Sequence, residues 1–114
     1  MKTFKIGLKI WSSNKDYLDP AKNLKEEGFL DYIELFVEPD ASVDHLAMWK
    51  GLDVPFLLHA PHFYAGLNFA DKAYEQQNRT LINTVGLFEK GLRAQRIIFH
   101  PGTSGTVEEA VRQI

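Results

Sequence analysis

At 114 residues and 45% hydrophobic content the chain has material for one core and one domain, not two. Thirteen Lys/Arg and fifteen Asp/Glu are interspersed, giving a net charge of −2 and no basic stripe of the kind that drives phosphate-backbone binding. No cysteine is present, which removes disulfides, thiolate metal sites and thiol catalysis together and fits a reducing compartment.

The opening, Met1 to Gly7, lacks the apolar core of a signal peptide, and no run of about eighteen apolar residues follows. The expectation is a soluble, cytoplasmic protein with no membrane partner. Strand-like and helix-like patterns then alternate without a linker or low-complexity segment. Lys5 to Ile10 predicts a first strand, with Ile6, Leu8 and Ile10 on one face. Asp19-Pro20 supplies an N-cap and first helical residue for a helix through Ala21 to Glu27, stopped by Gly28. Tyr32 to Val37 is the second strand, closed by Glu38-Pro39-Asp40. A short helix from about Asp44 to Lys50 ends at Gly51, with His45 facing solvent. Pro55 to His59 is the third strand, followed by a long loop from Ala60 to about Ala70. A third helix from about Asp71 carries Leu81, Ile82, Val85, Phe88 and Leu92 at helical spacing. Arg96 to Phe99 is the fourth strand, and a capping box, Thr106-x-x-Glu109, opens a fourth helix.

The candidate chemistry sits where two apolar strands each end in histidine and proline, at Phe56-Leu57-Leu58-His59-Ala60-Pro61-His62 and Ile97-Ile98-Phe99-His100-Pro101. Separated by one helical pattern, they read as buried parallel strands joined by a crossover, which puts both imidazoles on the same rim of one sheet. If His59 and His100 share a face, so do Leu57 and Ile98, while Phe56, Leu58, Ile97 and Phe99 turn to the helices. The same alternation sends Tyr32, Glu34 and Phe36 to the histidine side, with Glu34 in an enclosed apolar setting. Neighbouring strands lie about 4.8 Å apart, so the two imidazoles can reach one ion or two adjacent ions. A His/carboxylate set without thiolates suits Zn²⁺, Mn²⁺ or another first-row metal. Taken singly, each histidine is equally well explained as a hydrogen-bonding group at a strand end. The pairing favours ligation.

Four strand-helix repeats match no small closed fold. They suit an α/β half of a (β/α)8 TIM barrel, whose usual length is about 250 residues, with four parallel strands alternating with helices. Residues 1–114 would then be a single amino-terminal half-barrel domain, part of a longer barrel or completed by association. The His59-Ala60-Pro61 run, the Leu67-Asn68-Phe69-Ala70 loop and Phe99-His100-Pro101-Gly102 resemble the amino-terminal half of the xylose-isomerase-like barrel superfamily, which holds endonuclease IV-type enzymes and many sugar isomerases and epimerases. The resemblance implies that His59 and His100 are metal ligands and that the remaining Glu, Asp and His ligands come from strands absent from this chain. His62 stands where relatives usually carry tyrosine, and Tyr64 is a candidate substitute. Arg93 lies near the glycine with which relatives commonly end the third helix.

Among the other candidates, Glu34 either pairs structurally with Lys9 or serves as a catalytic carboxylate, and Lys9 either answers Glu34 or meets a sugar oxygen or phosphate. Trp11 at the end of the first strand, with His62, Tyr64 and Asn68, could line a substrate pocket. Packing is the commoner reading for Trp11, and loop shaping the main one for Asn68. Three functions follow: a metal-dependent sugar or sugar-phosphate isomerase/epimerase, an endonuclease IV-like phosphodiesterase acting at abasic DNA sites, and a non-catalytic half-barrel that self-associates. The missing basic surface favours a small substrate over nucleic acid. Open strand edges predict a homo-oligomer or a carboxyl-terminal half-barrel as partner.

Overall fold

The computed structural model describes residues 3–114. Strands β1 (Gly7–Trp11), β2 (Tyr32–Phe36), β3 (Phe56–His59) and β4 (Arg96–Ile98) alternate with helices α1 (Leu18–Glu26), α2 (Val43–Lys50), α3 (Glu75–Leu92) and α4 (Val107–Gln113). All pairings are parallel and the spatial order is β1-β2-β3-β4, so β1 and β4 are edges. The described fold is therefore an α/β chain with a four-stranded parallel sheet.

The strands alternate as their sequence demands. Ile10, Ile33, Leu35, Val37, Phe56, Leu58 and Ala60 are buried under the helices, where Ala21, Trp49, Val85 and Phe88 meet them. Each such large apolar side chain contributes about 1.5–3 kcal/mol on leaving water. Residues of opposite parity face the other way in matched register: Lys9 beside Glu34 and Leu57, then Trp11 beside Phe36, His59 and Ile98. Among the described residues no helix covers that row, and Trp11 and Ile98 remain exposed. The core is one-sided.

Several element boundaries move for local reasons. Helix α1 starts at Leu18, after a 3-10 turn over Lys15–Tyr17, so Asp19 and Pro20 sit inside its first turn rather than opening it. Proline is harmless there, because the first-turn N–H groups have no intrahelical acceptor. Helix α2 begins at Val43 with Ser42 as its cap: His45 N donates to Ser42 Oγ at 3.3 Å and Ser42 N to His45 Nδ1 at 3.2 Å. His45, expected to face solvent, is half-buried and completes this reciprocal cap. Asp71 caps a 3-10 turn over Lys72–Tyr74, its carboxylate accepting from Ala73 N at 2.9 Å, and α3 starts only at Glu75. At α4, Thr106 Oγ accepts from Glu109 N at 3.2 Å as expected. The reciprocal half of that box is absent, since Thr106 N donates to Ala70 O at 2.8 Å and the Glu109 carboxylate is taken by Arg112 and Gln113.

A second apolar cluster, Leu67, Phe69, Leu81 and Ala110, pins the loop after β3 between α3 and α4. Its polar counterpart is Asn78, buried on the inner face of α3. Asn78 Oδ1 accepts from Asn68 N at 2.9 Å, and its Nδ2 donates to Asn68 O at 2.9 Å and Gln113 Oε1 at 2.6 Å. Replacing Asn78 by Ala leaves both backbone groups of Asn68 unpaired in a buried setting. The expected loss is about 2–4 kcal/mol in urea unfolding, the cost of stranding those groups. A loss below about 0.5 kcal/mol would show that the loop finds other partners.

Helix α3 ends at Arg93, which holds φ 52°, the left-handed conformation, while Ala94 N donates to Glu89 O at 3.1 Å. An arginine there carries the Cβ strain that glycine avoids. Arg93→Gly is expected to raise stability by about 0.5–1 kcal/mol, after subtracting the greater chain freedom of glycine in the unfolded state. A lower urea midpoint would refute this.

Candidate functional site

His59 is fixed by its strand. Its carbonyl accepts from Val37 N at 2.9 Å, and Ala60 N donates to Ile98 O at 2.9 Å, so parallel pairing continues on both sides past the end of β3. The imidazole is nearly buried, at 5% exposure, and its Nδ1 lies 2.8 Å from Ala60 O. A carbonyl accepts only, so this contact assigns the ring proton to Nδ1 and leaves the Nε2 lone pair free. That lone pair meets His100 Nε2 at 3.1 Å. As placed, His100 donates to His59 in an imidazole–imidazole hydrogen bond. The two histidines expected on one rim are brought together.

His62 completes a cluster of rings. Its centroid lies 6.1 Å from that of His59 and 5.4 Å from that of His100, and the His59–His100 separation is 4.9 Å. Phe36 stands against both His59 and His62, with ring centroids 5.5 Å away in each case. Trp11 extends the row, 5.5 Å from Phe36 and 54% exposed. Tyr64, 85% exposed, touches His62 edge-on at 5.4 Å. Burial, first of all, pushes the proton affinity of His59 below its ordinary value. The Ala60 carbonyl and Glu34 oppose that shift, and Lys9 and His100 reinforce it. His62 is also lowered, by burial and then by the nearby His100 and Lys9. Both rings are thereby biased to the neutral form, the form that donates a lone pair.

Lys9 and Glu34 occupy the same open face one row below. Lys9 Nζ and a Glu34 carboxylate oxygen are 3.2 Å apart, with the Glu34 side chain 22% exposed. Glu34 is thus paired and partly open to solvent, where the sequence pattern predicted an enclosed apolar setting. Asn68 lies apart from this face. Its Nδ2 donates to Ser104 O and Ser104 Oγ, each at 3.1 Å, and its Oδ1 accepts from Ala70 N at 3.1 Å. Its amide ties the loop after β3 to the turn after His100. Gly102, with φ 143°, lies against that amide so closely that a Cβ there would collide with it. The loop carrying His62 and the turn following His100 are thus held together.

Among the described residues, no three His or acidic side chains surround a common ion position. The arrangement instead offers one imidazole pair, a third imidazole beside it, and an amine–carboxylate pair on one aromatic-lined face. No family model, characterised protein or solved structure matches the chain.

Glu38 was legible only as the end of a strand, yet it clamps the rim. Ser12 Oγ and Ser13 N donate to one carboxylate oxygen at 2.8 and 2.7 Å, Ser13 Oγ donates to the other at 2.9 Å, and Glu38 N donates back to Ser12 Oγ at 3.1 Å. Burial raises its pKa, but the hydrogen bonds from Ser13 and Ser12 outweigh burial, and the net position is below 4.5. A carboxyl depressed by folding contributes stability that is complete above its unfolded pKa and disappears as pH falls through the lower folded value. Glu38→Gln is expected to cost about 1 kcal/mol near neutral pH, discounted because the group is partly exposed. Urea midpoints of the two proteins should converge as the pH falls through the lowered folded pKa of Glu38. A gap of constant size across that range would rule out the ionised carboxylate as its origin.

Proposed function

We propose that this chain is half of a (β/α)8-type barrel whose histidine rim holds a divalent first-row ion, Zn²⁺ or Mn²⁺, and that the completed barrel isomerises or epimerises a sugar or sugar phosphate. The observation that carries the reading is the His59–His100 pair, with Nε2 atoms 3.1 Å apart on the same open face as the Lys9–Glu34 pair. Two nitrogens each about 2.05 Å from a tetrahedral ion lie about 3.3 Å apart, so the spacing fits shared ligation as well as it fits a hydrogen bond. The Nδ1 contact of His59 with a backbone carbonyl is the outer support that ligating imidazoles normally have.

Bound there, the ion would act as a Lewis acid toward vicinal substrate oxygens. The chain's own residues supply the rest. Glu34 takes and returns a proton at a substrate carbon, and Lys9, next to it, offsets negative charge developing on the adjacent oxygen. Trp11, His62 and Tyr64 offer aromatic faces on which the apolar side of a sugar ring rests. A net charge of −2 without a basic stripe supports a small substrate over a DNA backbone.

Two imidazoles leave the ion short of carboxylate ligands. The edges of β1 and β4, the open face and the exposed apolar residues Val107 and Val111 of α4, with Ile114 just after it, support completion by a second copy or by a separate carboxyl-terminal half. Light scattering on the purified protein should give an assembly heavier than one chain. A folded monomer at every concentration would count against association.

Elemental analysis should find a stoichiometric transition metal in that assembly, lost on His59→Ala and on His100→Ala with the fold intact. Unchanged stoichiometry in both variants sinks the ligand assignment. In the metal-loaded assembly, Glu34→Gln should lower kcat for sugar isomerisation by about 10²–10⁴-fold while the metal content holds. Cleavage of abasic-site DNA without sugar turnover would replace the substrate class.

A further inference from the structure

His62 is the residue of the ring cluster that its hydrogen bonds do not explain. Among the described residues, His62 Nδ1 is the one buried side-chain polar atom with no partner. Leaving such an atom unpaired costs about 1–3 kcal/mol, and a stranded polar atom inside a group of imidazoles calls for a ligand. The neighbours of the ring, Phe36, Phe63 and Tyr64, are aromatic, and its other close contacts are His59 and His100. Nothing in that set holds the ring by a hydrogen bond; as placed the three rings do not converge on one ion position, and convergence needs a turn of His62 about its side-chain torsions with its backbone in place. That backbone is anchored: the His62 carbonyl accepts from Ala65 N at 2.9 Å and from Leu67 N at 3.4 Å, and Pro61 before it is fully buried.

The separations of the three rings decide what the turn could achieve. In a tetrahedral site each imidazole centroid stands about 3.2 Å from the ion, so any two centroids are about 5.2 Å apart. The observed triangle of 4.9, 5.4 and 6.1 Å surrounds that figure, and its longest side is the one from His62 to His59. A rotation that brings a His62 nitrogen toward the His59–His100 pair needs no movement of the sheet.

We propose that His62 is a third nitrogen donor, making His59, His62 and His100 a three-imidazole site for a late first-row divalent ion within one chain. This rests on the reading of His59 and His100 as ligands and goes beyond it. The donor set is then all nitrogen and neutral, which favours Zn²⁺ and Ni²⁺ over the oxygen-seeking Mn²⁺ and Mg²⁺. The ion is captured by this chain alone, and a fourth position stays open for water or a substrate oxygen.

The test is Zn²⁺ affinity of the purified, metal-stripped protein, measured by competition with a chromophoric chelator, for wild type, His62→Phe, His59→Ala and His100→Ala. Phenylalanine keeps the ring packing and removes the nitrogens. The expected result is one Zn²⁺ per chain in wild type, Mn²⁺ bound at least about 100-fold more weakly, and Zn²⁺ affinity lowered on the order of 100-fold by His62→Phe. Wild-type affinity in His62→Phe, with loss in the other two variants, overturns the third-donor role and leaves the paired-ligand reading standing. No Zn²⁺ uptake by the wild-type chain overturns the three-imidazole site, and no uptake by its completed assembly defeats the paired-ligand reading as well. A measurement on wild type alone guards against a misfolded variant: long-range ¹H–¹⁵N spectra of the imidazoles on adding Zn²⁺. Three rings should shift together while His45, remote in α2, stays put as the internal reference. Shifts confined to His59 and His100 would overturn the proposal.

Discussion

The structure depends on a sheet with helices on one side only. In a parallel strand successive side chains take opposite faces, and the crossovers of this chain lay α1, α2 and α3 against the parity that carries Ile33, Leu35, Val37, Phe56 and Leu58. Among the described residues the opposite parity receives no helix, and there the sequence places Lys9, Trp11, Glu34, Phe36, His59 and His100. Had the core been two-sided, as in most all-parallel sheets, those positions would require apolar residues. Charged and aromatic groups are tolerated because that face is open, and their alignment into rows follows from register alone.

Within that face, opposing electrostatic effects are balanced over short distances. A cation beside the imidazoles disfavours a second positive charge, and Lys9 acts in that sense on both His59 and His62. Glu34, 3.2 Å from Lys9, acts on His59 in the opposite sense. Burial comes first among the causes for both histidines, so neutrality is set mainly by packing against Phe36 and the loop, and the ion pair trims it. A neutral ring with its Nδ1 proton held by a carbonyl has its lone pair at Nε2 by default. The same packing that closes the end of β3 therefore prepares a donor.

Period-two patterning made the strands legible, and Gly28 and Gly51 marked helix ends. The face assignment also followed, because parity propagates along a strand once one residue is placed. Helix starts were less legible. Asp19-Pro20 looks like a cap and first residue, but the 3-10 turn at Lys15–Tyr17 carries the helical path upstream of them. Contacts distant in sequence were not legible. Glu38 reaches Ser12 and Ser13 only because β1 and β2 are neighbours, and Trp49 Nε1 donates to Ser12 O at 2.8 Å across the core. Asn78 left a trace: it falls in the helical stripe of Leu81, Val85 and Phe88, where a polar residue needs a buried partner. That partner, the backbone of Asn68, has no signature of its own.

The donor chemistry of the rim bears on how a complete site would assemble. An ion held by His59 and His100 alone would be bound weakly in the free chain and retained only once carboxylates arrive from other strands. Metal binding and association would then be a single coupled equilibrium, with each step stabilising the other by mass action. With His62 as a third donor the order changes, because most of the nitrogen coordination exists before any partner does. Pro61, the turn over Phe63–Ala65 and the Asn68–Asn78 bonds fix the backbone on both sides of His62, so little ordering remains to oppose binding. The loop after β3 then has a reason for its hydrogen bonding to α3: it presents one imidazole to two others at the ends of β3 and β4.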